Sequence, residues 1–233
     1  MVRYRRNFVP GGTYFFTVTL ADRTSSALVQ RVGDVRMAFR IARQERPFTI
    51  DAIVVLPEHL HAIWTLPSGD SDFSGRWKRI KAYFTHRLVA AGAPVTRLRN
   101  GEYALWQRRF WEHTIRNEMD FERHVDYVHF NPVKHRLVSR ARDWPYSSFH
   151  RHVRRGVLPV DWAGDVDEPT MDFGERKGWP GFRFAPSGLL AINVAAQDGP
   201  LGVAKDHDGN SPPGQTLLIP HVLVGCYKYT RTQ

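Results

Sequence analysis

Two β-rich runs, residues 48–55 and 59–66, are joined through Leu56, Pro57 and Glu58, and this pair constrains the chain more than any other feature. So short a connection joins antiparallel neighbours, so the fold must contain an antiparallel sheet. Side chains alternate along a strand. His59 and His61 therefore share one face with Ile63 and Thr65, while Leu60, Ala62, Trp64 and Leu66 take the other, the expected core face. Two imidazoles so placed can reach one metal ion. They can equally be two half-exposed histidines on a sheet, and the spacing alone leaves both open.

The flanking sequence supplies the rest of a sandwich. Residues 13–20, TYFFTVTL, read as a strand. Residues 29–45 carry Val35, Ala38, Phe39 and Ala42 on one helical stripe, which Pro47 ends. Residues 76–91 repeat the pattern with Trp77, Ile80, Phe84 and Leu88. Residues 103–115 read as extended. Asn117 reads as the N-cap of a helix to about 130, with Glu118 and Asp120 in its first turn. Asn131-Pro132 is expected to interrupt it, with a short second helix through 138. This order predicts an α+β sandwich with one central antiparallel sheet and helices packed on it. From about 161 the chain turns rich in Gly, Pro and Asp and loses periodicity. The expected division is a domain at 1–160 and an irregular tail at 161–233, with at most a short strand at 217–226.

Charge follows the same division. Residues 1–160 hold 27 Lys+Arg against 14 Asp+Glu, whereas 161–233 hold 6 against 9. Arginine dominates the excess, which favours phosphate recognition and a nucleic-acid partner. On the polar face of the helix at 76–91 the candidate DNA contacts are Arg76, Lys78, Arg79 and Lys81. Arg108, Arg109 and Arg116 flank the extended stretch, and Arg3, Arg5 and Arg6 form a basic arm. Trp106, Phe110 and Trp111 read as core. No apolar run approaches a membrane span, no export signal is evident, and the single cysteine, Cys226, excludes an internal disulfide. A cytoplasmic, nucleoid-associated protein is the expectation.

Downstream, in HVDYVHFNPV, His124, Tyr127 and Asn131 stand at i, i+3 and i+7, one helical face if the helix persists. Phe121, Val125 and Val128 form the neighbouring apolar stripe, so Tyr127 need not be a core residue. Asn131 can complete a metal site through its amide oxygen. A phenol, with a pKa of about 10, is a weak nucleophile until activated. A divalent ion on a phosphodiester oxygen polarises phosphorus and orients in-line attack. Glu58, beside the pair, reads as a turn carboxylate, with a role in the metal shell as the alternative. His124 reads as a proton-transfer group or a surface histidine.

PEHLHAIW resembles the His-hydrophobic-His signature of the HUH single-strand nucleases. HVDYVHFNPVKHRLV followed by DWPYSSF resembles the single-tyrosine transposases, specifically the REP-associated tyrosine transposases, over about residues 3–152. The resemblance implies a ferredoxin-like α+β domain. It implies an enzyme dependent on Mg²⁺ or Mn²⁺ that cleaves and transfers single-stranded DNA at palindromic hairpins, leaving a 5′-phosphotyrosine and a free 3′-OH. By position His59 and His61 become metal ligands, Asn131 the third ligand and Tyr127 the nucleophile, in a monomer. The family carries a small residue, often Gly, soon after Asn-Pro-Val, where this chain has Lys134, His135 and Arg136. A non-cleaving, hairpin-binding regulator of the same fold is the alternative. A zinc hydrolase would need a base carboxylate facing the metal, and the sequence offers no clear one.

Overall fold

A computed structural model describes residues 6–163. The elements are β1 (Thr13–Thr19), α1 (Ala27–Gln30), α2 (Val32–Glu45), β2 (Thr49–Val55), β3 (His59–Thr65), α3 (Phe73–Ala90), β4 (Trp111–Thr114), α4 (Glu118–Lys134) and α5 (Phe149–Arg154), with a 3-10 turn at Ala141–Asp143. The four strands form one antiparallel sheet in the order β2-β3-β1-β4. This is the ferredoxin-like βαββαβ arrangement, followed by α4 and α5. Among the described residues no helix is long and apolar enough to cross a membrane. The tail beyond 163, with the strand expected at 217–226, and Arg3 and Arg5 lie outside the described residues.

Each sheet face has its own apolar cluster. Tyr14, Phe16 and Val18 of β1 and Leu60, Ala62 and Trp64 of β3 face α2 and α3. Trp64 stacks on Trp77 with centroids 4.3 Å apart. A fully buried tryptophan removes ~200 Å² from water, contributing about 5 kcal/mol before entropy. Phe15, Ala52, Val54 and Ile63 face α4 instead, against Val125, Val128 and Phe130. The hairpin thus has two core faces, and the histidine face is no half-exposed surface: His59 is 1% and His61 0% exposed.

Three boundaries differ from the sequence expectation. The helix at 29–45 is two pieces that break at Arg31. Of the extended stretch only Trp111–Thr114 forms a strand of the sheet, with Trp106 making an isolated bridge to Leu20. Pro132 does not interrupt α4, which runs unbroken to Lys134. A proline there forfeits one backbone bond at roughly 3 kcal/mol. Burial of Phe130, Asn131, Pro132 and Val133 on the sheet offsets it.

The helix then closes with a left-handed residue, as many helices do. The Arg136 N–H donates to the Val133 carbonyl at 2.9 Å and the Leu137 N–H to the Pro132 carbonyl at 2.9 Å. Arg136 has φ of 57°. A side chain in that conformation costs about 1 kcal/mol that glycine avoids. Arg136→Gly is expected to raise stability by about 1 kcal/mol in urea melts.

Asp51 occupies the β-bulge of β2 and accepts from the Thr65 hydroxyl at 2.8 Å. Burial pushes its carboxyl up to about 6 from 3.8, against that hydrogen bond and nearby Arg151. The folded chain therefore holds this proton more tightly than the unfolded chain, and stability falls as pH rises through the window between those values. Asp51→Asn keeps the acceptor without the ionisation. It should be more stable by roughly 2 kcal/mol above pH 6 and show a flatter pH–stability profile in thermal melts.

Candidate active site

Strand register builds the floor of the site. On the α4 face, Val54, His61, Thr17 and Trp111 align across β2, β3, β1 and β4. His59 lies beside Thr19, and Phe15 between Ile63 and His113. The His59 and His61 rings are 4.9 Å apart at 82°.

Neighbouring groups fix both imidazoles. The His59 Nδ1–H donates to Glu58 Oε1 at 2.9 Å. Burial raises the Glu58 pKa, but the His59 contacts and Arg23, 3.5 Å away, outweigh it and hold the carboxyl below its ordinary range. Glu58 is thus more than a turn carboxylate, since it sets the tautomer of His59. His61 Nδ1 lies 2.9 Å from the Thr17 hydroxyl. Burial holds the His61 pKa well below its ordinary value, with the neighbouring His59, His135 and Lys134 side chains lowering it further. His61 is therefore neutral.

With its Nδ1–H given to Glu58, neutral His59 presents a lone pair at Nε2, and neutral His61 does the same when its Nδ1–H donates to the Thr17 hydroxyl. Each Nε2 is buried without a hydrogen-bond partner, and so are both amide atoms of Asn131. Asn131 is 0% exposed and lies close enough to His61 to favour its charged form, yet its amide makes no well-formed hydrogen bond. Buried polar groups rarely go unsatisfied, and such groups call for a water or an ion. Two imidazole nitrogens and an amide oxygen are ligands a divalent cation accepts. The residues present therefore fit a metal at His59, His61 and Asn131.

Tyr127 joins this group from α4. Its ring lies 5.1 Å from His61 and 5.7 Å from Phe15, and it is only 6% exposed, within the second apolar cluster. The Lys134 ammonium lies 5.1 Å from its ring centroid. His135 sits 5.1 Å from His59. The sequence reading missed Lys134 and His135 because it ended the helix at Asn131-Pro132. An unbroken helix puts 127, 131 and 134 on one stripe.

His124 is 1% exposed, so it is no surface histidine. Its Nδ1–H donates to the Asp120 carbonyl at 2.7 Å, and its ring stacks on His113 at 4.7 Å. His113 Nε2 lies 2.9 Å from Asp120 Oδ2. His113, Asp120 and His124 bring ligand atoms within 4.8 Å of one another and could hold a metal ion. This group sits across Phe15 from His61. It joins β4 to the first turns of α4.

The basic candidates divide. Arg76 is overturned as a DNA contact: it is 1% exposed, and its guanidinium donates to the carbonyls of Arg46, Asp72 and Pro47 and to Asp70 at 2.7 Å. It clamps the α2–β2 junction to the start of α3. Arg76→Ala would strand those acceptors and is expected to cost roughly 3 kcal/mol in chemical denaturation. Arg79 is exposed but engages Glu45 at 2.8 Å. Lys81 is half-buried over the Trp106 and Phe110 rings, and burial brings its pKa down to about 8. Arg6 lies over Phe110 at 4.1 Å. Lys78, Arg108, Arg109 and Arg116 are exposed. The α3 residues lie across the sheet from His59 and His61.

No family model matches the chain. It is 52% identical over 176 residues to the REP-associated tyrosine transposase of Escherichia coli (strain K12), covering 76% of this chain and 98% of that protein. It is 43% identical over 169 residues to a Haemophilus influenzae protein given the same family name, covering 72% and 96%. A solved structure of a REP-associated tyrosine transposase bound to a REP hairpin superposes with a TM-score of 0.64 at 50% identity, over 76% of this chain and 98% of that one. With identity this high over nearly the whole of each relative, the chain belongs to the REP-associated tyrosine transposases.

Proposed function

We propose that this transposase is a metal-dependent single-strand DNA endonuclease and strand transferase that acts on hairpin elements through Tyr127. The observation that carries this reading is the group of buried, unsatisfied atoms. His59 Nε2, His61 Nε2 and the Asn131 amide lack partners, and the Tyr127 ring stands 5.1 Å from His61. A hairpin substrate follows from the relative solved with a REP hairpin. All four residues come from one chain, so a monomer suffices. Acting on DNA, it would work in the cytoplasm beside the nucleoid.

In this reading His59, His61 and Asn131 would hold Mg²⁺ or Mn²⁺, which would supply Lewis-acid polarisation of a phosphodiester oxygen. Glu58 and Thr17 keep the two imidazoles oriented. The Lys134 ammonium, 5.1 Å from the Tyr127 ring centroid, puts a positive charge beside the attacking group. The Tyr127 oxygen loses its proton and bonds to phosphorus, the bond to the 3′-oxygen breaks, and that oxygen leaves as a 3′-OH. The 5′ side stays as phosphotyrosine. One ester replaces another, so a 3′-OH can later reverse the step and rejoin strands without an external energy source. Lys78, Lys81, Arg6, Arg108, Arg109 and Arg116 remain the proposed phosphate contacts, together with Arg3 and Arg5.

The test is incubation with a labelled hairpin carrying single-stranded flanks. An SDS-resistant adduct is expected with Mg²⁺ or Mn²⁺ and none after chelation. Salt-sensitive hairpin binding without any adduct would replace this reading with the non-cleaving regulator.

A further inference from the structure

A second candidate site lies along β2, on the α2 side of the sheet. Between α2, the outer strand β2 and the start of α5 is an open pocket of about 580 Å³. Its floor is apolar, formed by Val35, Phe39, Phe48, Ile50 and Ile53. Its rim is cationic. Arg36, Arg40 and Arg43 recur at i, i+4 and i+7 along α2, and Arg151 enters from α5.

None of these four arginines forms an ion pair among the described residues, in contrast to Arg79 and Arg87. Two are held in place by backbone. Arg43 Nε donates to the Phe48 carbonyl at 3.1 Å, and Arg151 Nη2 to the Ile50 carbonyl at 2.9 Å. Arg151 Nε is buried without an acceptor. Arg154 and Arg155 add like charge beside it. Asp51 is the facing carboxylate, and Thr65 already engages it.

We propose that this pocket binds one unpaired nucleotide of a single strand, with its phosphate on the arginines and its base against the apolar floor and Tyr146. A free phosphate would leave the floor in water, and a hydrocarbon chain would leave the guanidiniums unanswered. A nucleotide carries both an anion and a flat apolar ring, and ~580 Å³ is within the range of small-ligand pockets. Only an unstacked base can enter, so the pocket selects single strand over duplex. The Ser147–Phe149 segment folds over the β2 edge, with Ser148 N bonded to the Ile53 carbonyl at 2.8 Å, so Tyr146 is fixed at the mouth. The proposal rests on the single-strand DNA reading, but it concerns the α2 side of the sheet rather than the Tyr127 side.

The test uses the full chain and a fluorescent 12-nucleotide single strand, with a duplex of equal length as comparison. Arg36→Ala/Arg40→Ala changes only exposed helical positions. It is expected to weaken single-strand binding about tenfold and flatten the salt dependence by about two phosphate contacts, with duplex binding much less affected. Arg97→Ala/Arg99→Ala removes the same charge from the Gly92–Gly101 loop and should change affinity less than twofold. Equal losses in both doubles, or none in the first, would overturn the site. Photocrosslinking of a 5-iodouracil strand to wild type gives a readout independent of variant folding. Adducts at Tyr146 are expected, and adducts confined to other surfaces would overturn it. Tyr127→Phe should bind and crosslink normally, so failure of the catalytic reading shows in its adduct assay and failure of the pocket in these.

Discussion

Tyr127→Phe is expected to abolish the covalent protein–DNA adduct and lower cleavage by a factor on the order of 10³ or more, with hairpin affinity changed less than threefold. The substitution removes one oxygen and leaves the ring packed on His61 and Phe15, so the apolar cluster around it survives. Quench-flow or gel assay of a labelled strand measures the rate, and an SDS gel shows the adduct. If the phenylalanine protein cleaves as wild type does, the nucleophile is another group. The variant also separates binding from chemistry, since a protein whose only activity is hairpin binding would be indifferent to the change.

The part of the fold carried by strong local periodicity was legible in the sequence. Alternation in the hairpin put His59 and His61 on one face, and the helical stripes of α2 and α3 were visible as Val35–Phe39–Ala42 and Trp77–Ile80–Phe84. Other features were not legible. The first was how buried the histidine face is, because alternation says which residues share a face but not what covers it. Only the packing of α4 makes His61 0% exposed. The second was the end of α4. Proline inside a helix reads locally as a stop, and tertiary burial of Phe130 and Val133 overrode that cost, which hid Lys134 and His135. Arg76 failed for a related reason. On a helical wheel it joins the polar face, but the α2–β2 junction folds carbonyls over it. The His113–Asp120–His124 group is close in sequence but spans two elements, and only the turn from β4 into α4 brings the His124 ring onto His113.

The second large effect is expected at His61. In the metal-free protein, its buried Nε2 and the Asn131 amide lack partners, which is a cost to folding. Phenylalanine fits beside Phe15, which already lies parallel to the imidazole at 5.4 Å. Without metal, His61→Phe should therefore be as stable as wild type or more so, while cleavage falls by a factor on the order of 10³. The pH response follows from the same burial. The folded chain keeps His61 neutral, with its pKa well below the ordinary value, while the unfolded chain takes up a proton below about 6.5. Stability from this group is thus present above that pH and lost on acidification. The phenylalanine variant should lack that part of the acid slope. Added Mn²⁺ at a hundred times its dissociation constant should stabilise wild type by about 2.7 kcal/mol and the variant hardly at all. Equal stabilisation of both proteins would move the metal away from His59, His61 and Asn131, and the His113–Asp120–His124 group across Phe15 would then be the place to look. A variant that is more stable and inactive would instead mean that the unsatisfied nitrogens are kept at the expense of stability, because the chemistry at Tyr127 needs them.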